Sequence, residues 1–355
     1  MTNDAVDESK LEQVLGHAVT EMGAAMNGAL VLIGGELGLW KALHAAGPLS
    51  AAQIADKTGV RERYVREWAS AQAASGYLEY DAANDTFTLP PEQALAFADE
   101  DSPVFLLGGY HVVSSAYKDR AAIAERFRTG RGFGWHEHDP ELFTGTEQFF
   151  RPGYRTHLTA EWIPALDGVE ERLKSGAKVA DVGCGHGAST VVMAQAYPES
   201  EIHGFDYHDA SIEHARSVAA DAGVAGSTDF AVASAKDFPG TGYDLICFFD
   251  CLHDMGDPVG ALRHAREALA PDGTVMLVEP FAGDRLADNL NPVGRVFYAA
   301  STLVCTPGSL DQEVGLGLGA QAGEERLREV AAEAGLSRLR RATETPFNLI
   351  LEVRA

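Results

Sequence analysis

Three clusters of residue types in this 355-residue chain could do chemistry, and all lie in its C-terminal half. The first is the run Val179-Ala-Asp-Val-Gly-Cys-Gly-His-Gly-Ala-Ser-Thr190. Its pattern is a buried strand, an acid at the strand's end, a glycine-packed turn and a helix start. Gly183, Gly185 and Gly187 let the backbone approach a ligand with no Cβ in the way, and they permit positive φ. The helix N-terminus that follows offers free N–H groups. Such a turn suits a nucleoside-type cofactor at the carboxyl end of a parallel strand. Gly183-x-Gly185-x-x-Ala188 meets the dinucleotide pattern, but a carboxylate at Asp181 would repel a pyrophosphate and accept a ligand carrying cationic groups. The second cluster ends at Asp206, about 20 residues after the turn, where a carboxylate can accept hydrogen bonds from ribose hydroxyls. That spacing serves either kind of cofactor. The third is an apolar strand from Tyr243, followed at once by Asp250, His253 and Asp254.

These clusters need elements to hold them. Glu201 to Asp206 is a second strand. Asp257-Pro258 opens a helix carrying Leu262, Ala265 and Leu269, and Ala270-Pro-Asp-Gly273 turns into another apolar strand that reaches Glu279-Pro280. Ser337 to Thr343 and Phe347 to Arg354 form two strands with little between them, which suits an antiparallel pair rather than an all-parallel dinucleotide sheet.

The N-terminal part has a different pattern. Residues 11–46 are helical, with Leu30, Leu32, Ile33, Leu37, Leu39, Trp40 and Leu43 crowding one stretch, an excess that predicts burial against a partner subunit. Ser50 caps a helix over 51–58, with Gln53 at the capping-box position. A third helix runs to Ser75. Residues 76–80 and 86–89 flank a turn as a hairpin, and a short helix follows near 93–98. Helix, turn, helix and hairpin wing make a winged-helix layout. Arg61, Arg63 and Arg66 on its second helix alternate with Glu62 and Glu67, and the wing carries Glu79, Asp81 and Asp85. A nucleic-acid reader presents a basic face, so a structural and dimerisation module is the expectation, without nucleic acid as partner.

Composition agrees. The formal net charge of −24 disfavours phosphate backbones and anionic membranes. No run approaches 18 apolar residues, so no membrane-spanning helix is expected, and the acidic start lacks the basic and apolar regions of a secretory leader. Cys184, Cys247, Cys251 and Cys305 are too few for a disulfide frame and suit reduced thiols in the cytoplasm. His136-x-His138, with Glu137 and Asp139, is the one metal-like grouping; it lacks further spaced ligands, and no metal is expected.

The run from Val179 is similar to the first motif of class I S-adenosylmethionine (SAM) methyltransferases, and Tyr243 to Pro280 resembles the fourth and fifth strands of that fold. A winged-helix N-terminal part joined to such a domain resembles the small-molecule O-methyltransferases of plants and of bacterial natural-product pathways. It is closer still to an actinobacterial group of SAM-dependent methyltransferases with a winged-helix N-terminal domain. Arg63 to Trp68, Val179 to His186, Gly204 to His208, Phe249 to Pro258 and Thr345 to Asn348 carry that resemblance across nearly the whole chain. The fold so implied is α/β: a Rossmann-like, mainly parallel sheet with an antiparallel last strand, behind a mainly α winged-helix dimerisation domain. The implied segments are 1–100 for the winged-helix domain, 101–175 for a helical linker and pocket lid, and 176–355 for the SAM-binding domain.

The resemblance also implies roles. Asp181 with the backbone of Gly183, Gly185 and Gly187 would hold the methionine part of SAM. Asp206 would bind the ribose, with Tyr207 beside the adenine. Ser234 and Ala235 would border the ring, although Ser234 stands where many relatives place an acid. Phe249 and Asp250 would approach from the fourth strand. His253, followed by Asp254, matches the family's His-Asp pair, in which the His removes the acceptor hydroxyl's proton; a local packing role is the alternative. Glu279 could orient His253 or a substrate amine, or serve only as a capping or solvated carboxylate. Methyl transfer is an in-line displacement, so the protein mainly positions reactants and exposes a lone pair. The acceptor pocket is expected from two irregular stretches, 132–162 and 291–321, with Trp135, Phe150, Tyr154 and Tyr298 as lining residues. Oxygen is the favoured acceptor atom, with nitrogen or carbon next. A SAM-binding protein that does not methylate, a SAM-sensing transcriptional regulator and an NAD oxidoreductase are the other readings.

Overall fold

The computed structural model describes residues 6–355. Two compact units emerge, Met1–Ser114 with Thr144–Pro152 and Ser115–Phe143 with Gly153–Ala355. Residues 101–175 fall partly in each unit.

In the first unit, α1 (Glu8–Glu36) is capped by Asp7, whose Oδ1 accepts from Ser9 N–H at 3.0 Å. It stops at Leu37, and Gly38, at φ 68°, turns the chain into α2 (Leu39–Ala46). Then come α3 (Ala51–Thr58), α4 (Glu62–Ala74), the hairpin β1 (Glu79–Asp81) and β2 (Thr86–Thr88), and α5 (Pro91–Phe97). The capping box forms as expected, with Ser50 N–H donating to Gln53 Oε1 at 2.8 Å. Trp40 and Trp68 meet edge to face at 4.8 Å, and their indole N–H groups donate to the carbonyls of Val31 and Leu30. Much of the crowded apolar stretch is thus this unit's own core: Leu32, Leu39, Trp40 and Leu43 are buried within it. The exposed apolar face lies earlier on α1, at Val14, Leu15, Val19, Met22 and Met26. By length and composition α1 is long and apolar enough to cross a membrane, contrary to the expectation from the lack of an unbroken apolar run. Its C-terminal part (Asn27, Gly28, Val31, Leu32 and Gly34) is nonetheless buried in the protein, as in a core helix.

Two helices, α6 (Leu107–Thr129) and α7 (Glu141–Gly153), contribute residues to both units. A π-helical stretch, Tyr154–Trp162, and α8 (Val169–Ser175) lead into the sheet of the second unit. That sheet is built from β3 (Lys178–Val182), α9 (Ala188–Ala196), β4 (Glu201–Asp206), α10 (Asp209–Asp221), β5 (Thr228–Val232), β6 (Tyr243–Phe249), α11 (Pro258–Ala268) and β7 (Leu269–Pro280). After it come α12 (Pro292–Ala300), α13 (Thr306–Asp311), α14 (Gly323–Glu333), β8 (Arg338–Glu344) and β9 (Asn348–Arg354).

The strand order is β5-β4-β3-β6-β7-β9-β8. The pairs among β3, β4, β5, β6 and β7 are parallel, and β9 runs antiparallel to both β7 and β8. The Pro-Asp-Gly turn appears as a slip in pairing: Tyr243 faces Leu269, whereas Leu245 faces Thr274. Strands β3 and β6 are buried on both faces, as the central strands of a covered parallel sheet must be. The order reverses between β3 and β6, so a crevice is expected beyond their carboxyl ends.

Candidate active site

Asp181, near the end of β3, is fully buried. Its Oδ2 accepts hydrogen bonds from Ser189 Oγ and Thr190 Oγ1, both at 2.6 Å, in the first turn of α9. Its Oδ1 is buried and makes no hydrogen bond. Burial pushes the carboxyl up to about 6, against the pull of the two hydroxyls, and the nearby Asp206 adds to the rise. The three glycines all have positive φ, at 76°, 51° and 78°, but for different reasons. A Cβ on Gly183 would stand 2.8 Å from Cys251 Sγ, and one on Gly187 would stand 2.9 Å from Ala215 Cβ and 3.0 Å from the Phe230 ring. A Cβ on Gly185 would meet nothing within 4 Å. Gly183 and Gly187 are packing glycines, and Gly185 borders open space.

Asp206 ends β4 and braces the same turn. Its Oδ2 accepts from Gly185 N–H at 3.0 Å and its Oδ1 from His208 N–H at 2.9 Å. Burial raises this carboxyl, and the two N–H groups oppose the rise. Tyr207 follows and is half exposed. Beyond β5, Ser234 N–H donates to Asp237 Oδ1 at 2.9 Å, and Ser234 Oγ accepts from Lys236 N–H at 3.1 Å. The acid three residues on therefore closes the turn on which Ser234 and Ala235 sit.

His253 lies in a 3₁₀ turn, Leu252–Asp254, after β6 and is 3% exposed. Its Nδ1 is 2.6 Å from Glu279 Oε2, and Glu279 Oε1 accepts from Leu252 N–H at 3.1 Å. Glu279 is 2% exposed. On the other side, His253 Nε2 is 3.1 Å from Asp254 Oδ1, while Trp135 Nε1–H donates to Asp254 Oδ2 at 3.0 Å. Burial disfavours the charged imidazole, but the Glu279 and Asp254 carboxylates outweigh it and raise His253 well above its ordinary value.

Phe249 and Asp250 close β6. Asp250 has φ 50°, a region that L residues other than glycine rarely adopt. Its Oδ1 accepts from Asn348 Nδ2 at 2.7 Å and its Oδ2 from Tyr154 Oη–H at 3.4 Å. Burial pushes the Asp250 carboxyl well up, and the charge of Glu279 adds to that. Tyr154 is buried, its ring 5.4 Å from that of Phe249.

The stretches 132–138 and 305–319 meet beside His253. Phe133 N–H donates to Pro307 O at 2.9 Å, and a Cβ on Gly132 would fall 2.0 Å from Asp311 N. Gln312 Nε2 donates to Asp254 O at 3.0 Å, and Gly319 N–H to His253 O at 3.2 Å. Trp135 and Tyr154 thus join the His253 and Asp250 groups. Phe150 lies in the first unit, with its ring 5.1 Å from Phe149. Tyr298 is partly buried on α12, and its carbonyl accepts from Thr302 Oγ1. The His136-x-His138 grouping is split, since His138 Nδ1 is paired with Asp119 Oδ2 at 2.8 Å. Sequence reasoning did not single out Asn348, Cys305 or the Trp135–Asp254 bond. Asn348 was visible as the last residue of a motif, but a thiol at 305 gave no local signal.

Residues 173–334 match a family model described as a methyltransferase domain, and residues 25–98 match an Rv2258c-like winged HTH domain. The chain carries a methyltransferase domain behind a winged helix-turn-helix domain. Over 125 residues it is 30% identical to trans-aconitate 2-methyltransferase of Streptomyces avermitilis, covering 35% of this chain and 46% of that protein. The chain thus spans about half the length of that curated relative. Among solved structures, mitomycin 7-O-methyltransferase is similar at a TM-score of 0.71 with 19% identity, covering 98% of this chain and all of that one. Human N-acetylserotonin methyltransferase, solved with SAM, is similar at a TM-score of 0.68 with 17% identity, covering 100% and 99% of the two chains. These likenesses show the fold: a winged-helix part followed by a Rossmann-like methyltransferase sheet.

Proposed function

We propose that the protein is a SAM-dependent methyltransferase acting on the hydroxyl oxygen of a small, partly aromatic or apolar acceptor. The buried Glu279–His253 pair, placed beside the acid-and-glycine turn, carries this reading. The turn fits SAM on its own chemistry. Asp181 Oδ1 is a buried acceptor without a partner, Gly185 borders open space, and Asp181 and Asp206 have carboxyls raised by burial. Such a site favours a ligand with cationic groups over a pyrophosphate. Asp181 and the turn would hold the methionine part, Asp206 the ribose, and Tyr207, Ser234 and Ala235 the adenine, with Phe249 and Asp250 nearby. When bound, SAM supplies an electrophilic methyl group on a sulfonium centre.

His253 and its neighbours prepare the acceptor. Glu279 takes the Nδ1–H hydrogen bond and fixes the tautomer whose Nε2 lone pair can remove a proton. Trp135 holds the second oxygen of Asp254. Because the Glu279 and Asp254 carboxylates raise His253 above its ordinary value, its basic form grows as pH rises, and turnover should rise toward alkaline pH. Trp135, Tyr154 and Tyr298 would bound the acceptor.

The remaining readings concern partners. The exposed apolar residues of α1, with Val19 64% and Met26 76% exposed, support a homodimer formed through the N-terminal domain. Arg66 is held by Asp85 at 3.0 Å and Arg63 by Glu67, which supports a fold-building role for the winged helix without nucleic acid. Four free cysteines are in keeping with a cytoplasmic location, and neither a membrane nor a metal forms part of the proposed reaction.

The test is calorimetric titration with SAM, S-adenosylhomocysteine and NAD, followed by an acceptor screen with methyl-labelled SAM. Saturable binding of the SAM-type ligands alone, and label transferred to a hydroxyl, is the expected result. Binding of NAD alone, or SAM binding without transfer to any acceptor class, overturns it.

A further inference from the structure

Among the described residues, three groups of ligand-type side chains come together, and the fully buried one is His253, Asp254 and Cys305. All three are buried, and their donor atoms lie within 4.8 Å of one another. They come from two places in the chain: the 3₁₀ turn after β6 and the end of a π-helical stretch, Ser301–Cys305. Asp254 is 8% exposed, and its Oδ1 makes no hydrogen bond although His253 Nε2 stands 3.1 Å away. Its other oxygen is fixed by Trp135, so the free oxygen is held toward the group. Cys305 Sγ lies within 4.8 Å of the ligand atoms of both His253 and Asp254.

We infer that these three side chains form a binding site for a soft divalent cation such as Zn²⁺, one that ties up the same imidazole nitrogen the methyl-transfer reading uses. The donor set is one imidazole, one thiolate and one carboxylate, which suits zinc with a fourth position left to water. Zinc bonds of about 2.0–2.3 Å put tetrahedral donors roughly 3.3–3.7 Å apart. The His253–Asp254 separation is already near that, and closing the remainder needs only a small side-chain shift. An outer shell is in place. Glu279 accepts the Nδ1–H of His253, the carboxylate–histidine arrangement that orients ligating imidazoles. Cation binding displaces the Cys305 thiol proton to solvent and leaves His253 Nε2 without a lone pair for an acceptor. That consequence for turnover rests on His253 being the base. The site itself does not.

Cobalt(II) tests the site directly, since a thiolate ligand gives a charge-transfer band and a tetrahedral site gives visible d–d bands. The full-length protein should bind one cobalt per chain with both signatures, and zinc should displace it. Cys305→Ser should lose the charge-transfer band, whereas Cys251→Ser should keep it. Glu279→Gln should weaken cobalt binding by roughly 10–100-fold. No thiolate band in the wild-type protein, or a band that survives Cys305→Ser, overturns the inference, whatever the methyl-transfer assay gives. Zinc should also abolish methyl transfer while calorimetric SAM binding persists. Full activity with the cobalt site filled would separate the metal site from the base.

Discussion

Glu279 Oε2 stands 2.6 Å from His253 Nδ1 at the carboxyl ends of two adjacent parallel strands, β7 and β6. Both side chains are buried, so the pair is a fixed unit, and on the proposed function Glu279 would act through His253 as a positioning residue. His253→Ala should lower kcat by roughly 10²–10⁴-fold, with SAM affinity changed by no more than about threefold. Glu279→Gln keeps a hydrogen-bonding group but removes a charge that raises His253. The acid limb of the kcat/KM profile should therefore move to lower pH as the rate drops. A purely structural Glu279 would leave that limb in place, which a pH–rate series would show.

Gly185 and Gly187 differ in what surrounds them, and their alanine variants should fail differently. Both pay for positive φ, about 1–2 kcal/mol for an L residue. Gly187→Ala also drives a Cβ against Ala215 and Phe230, an overpacking cost of about 1–3 kcal/mol. It should lower Tm by more than Gly185→Ala does. Gly185→Ala should instead show its larger loss in SAM affinity, since its Cβ enters the open space. Thermal scans paired with calorimetry separate the two, and equal Tm losses would contradict the assignment.

Much of the grouping of this candidate site was legible from sequence because its residues are local in the chain. Asp181, Gly183, Gly185 and Gly187 sit within one strand–turn–helix run, and Asp206 follows at a fixed offset. His253 and Asp254 are adjacent in the chain. What stayed hidden comes from distant segments: Cys305 reaches His253 only through the fold of 301–319, and Trp135 reaches Asp254 across more than a hundred residues. The apolar crowding near Trp40 divides in the fold: Leu32, Leu39, Trp40 and Leu43 are buried within the chain, whereas Ile33 and Leu37 stay exposed.

Asp181 gives a pH prediction whose sign follows from its burial. Its carboxyl is pushed up to about 6 in the folded chain, against about 3.9 when unfolded. Between those values the folded protein holds a proton that the unfolded chain has released. This group's contribution to stability is thus present at low pH, declines as pH rises from about 4 to about 6, and stays lost above. A cationic ligand needs the carboxylate, so SAM affinity should fall as pH drops through about 6. Asp181→Asn should flatten both trends and weaken SAM binding by about 10-fold or more, an ordinary cost for a lost charged contact. Calorimetry and thermal scans from pH 4.5 to 8 would expose an unchanged affinity, which would remove Asp181 from the ligand site.

Asn348 holds Asp250 in a backbone conformation that costs about 1–3 kcal/mol for a residue with a side chain. The 2.7 Å bond from Asn348 Nδ2 and the bond from Tyr154 fix the Asp250 carboxyl at the end of β6, and on the proposed function the strain would serve to aim it. Two variants separate strain from aim. Asn348→Ala should lower Tm, since it strands a buried carboxyl oxygen at a cost of about 1–3 kcal/mol. Asp250→Gly should relieve the positive φ and leave stability unchanged or up to about 1 kcal/mol higher, while kcat falls. A large loss of stability in Asp250→Gly would mean that the carboxyl is a structural anchor, and the strain at residue 250 would then have no part in catalysis.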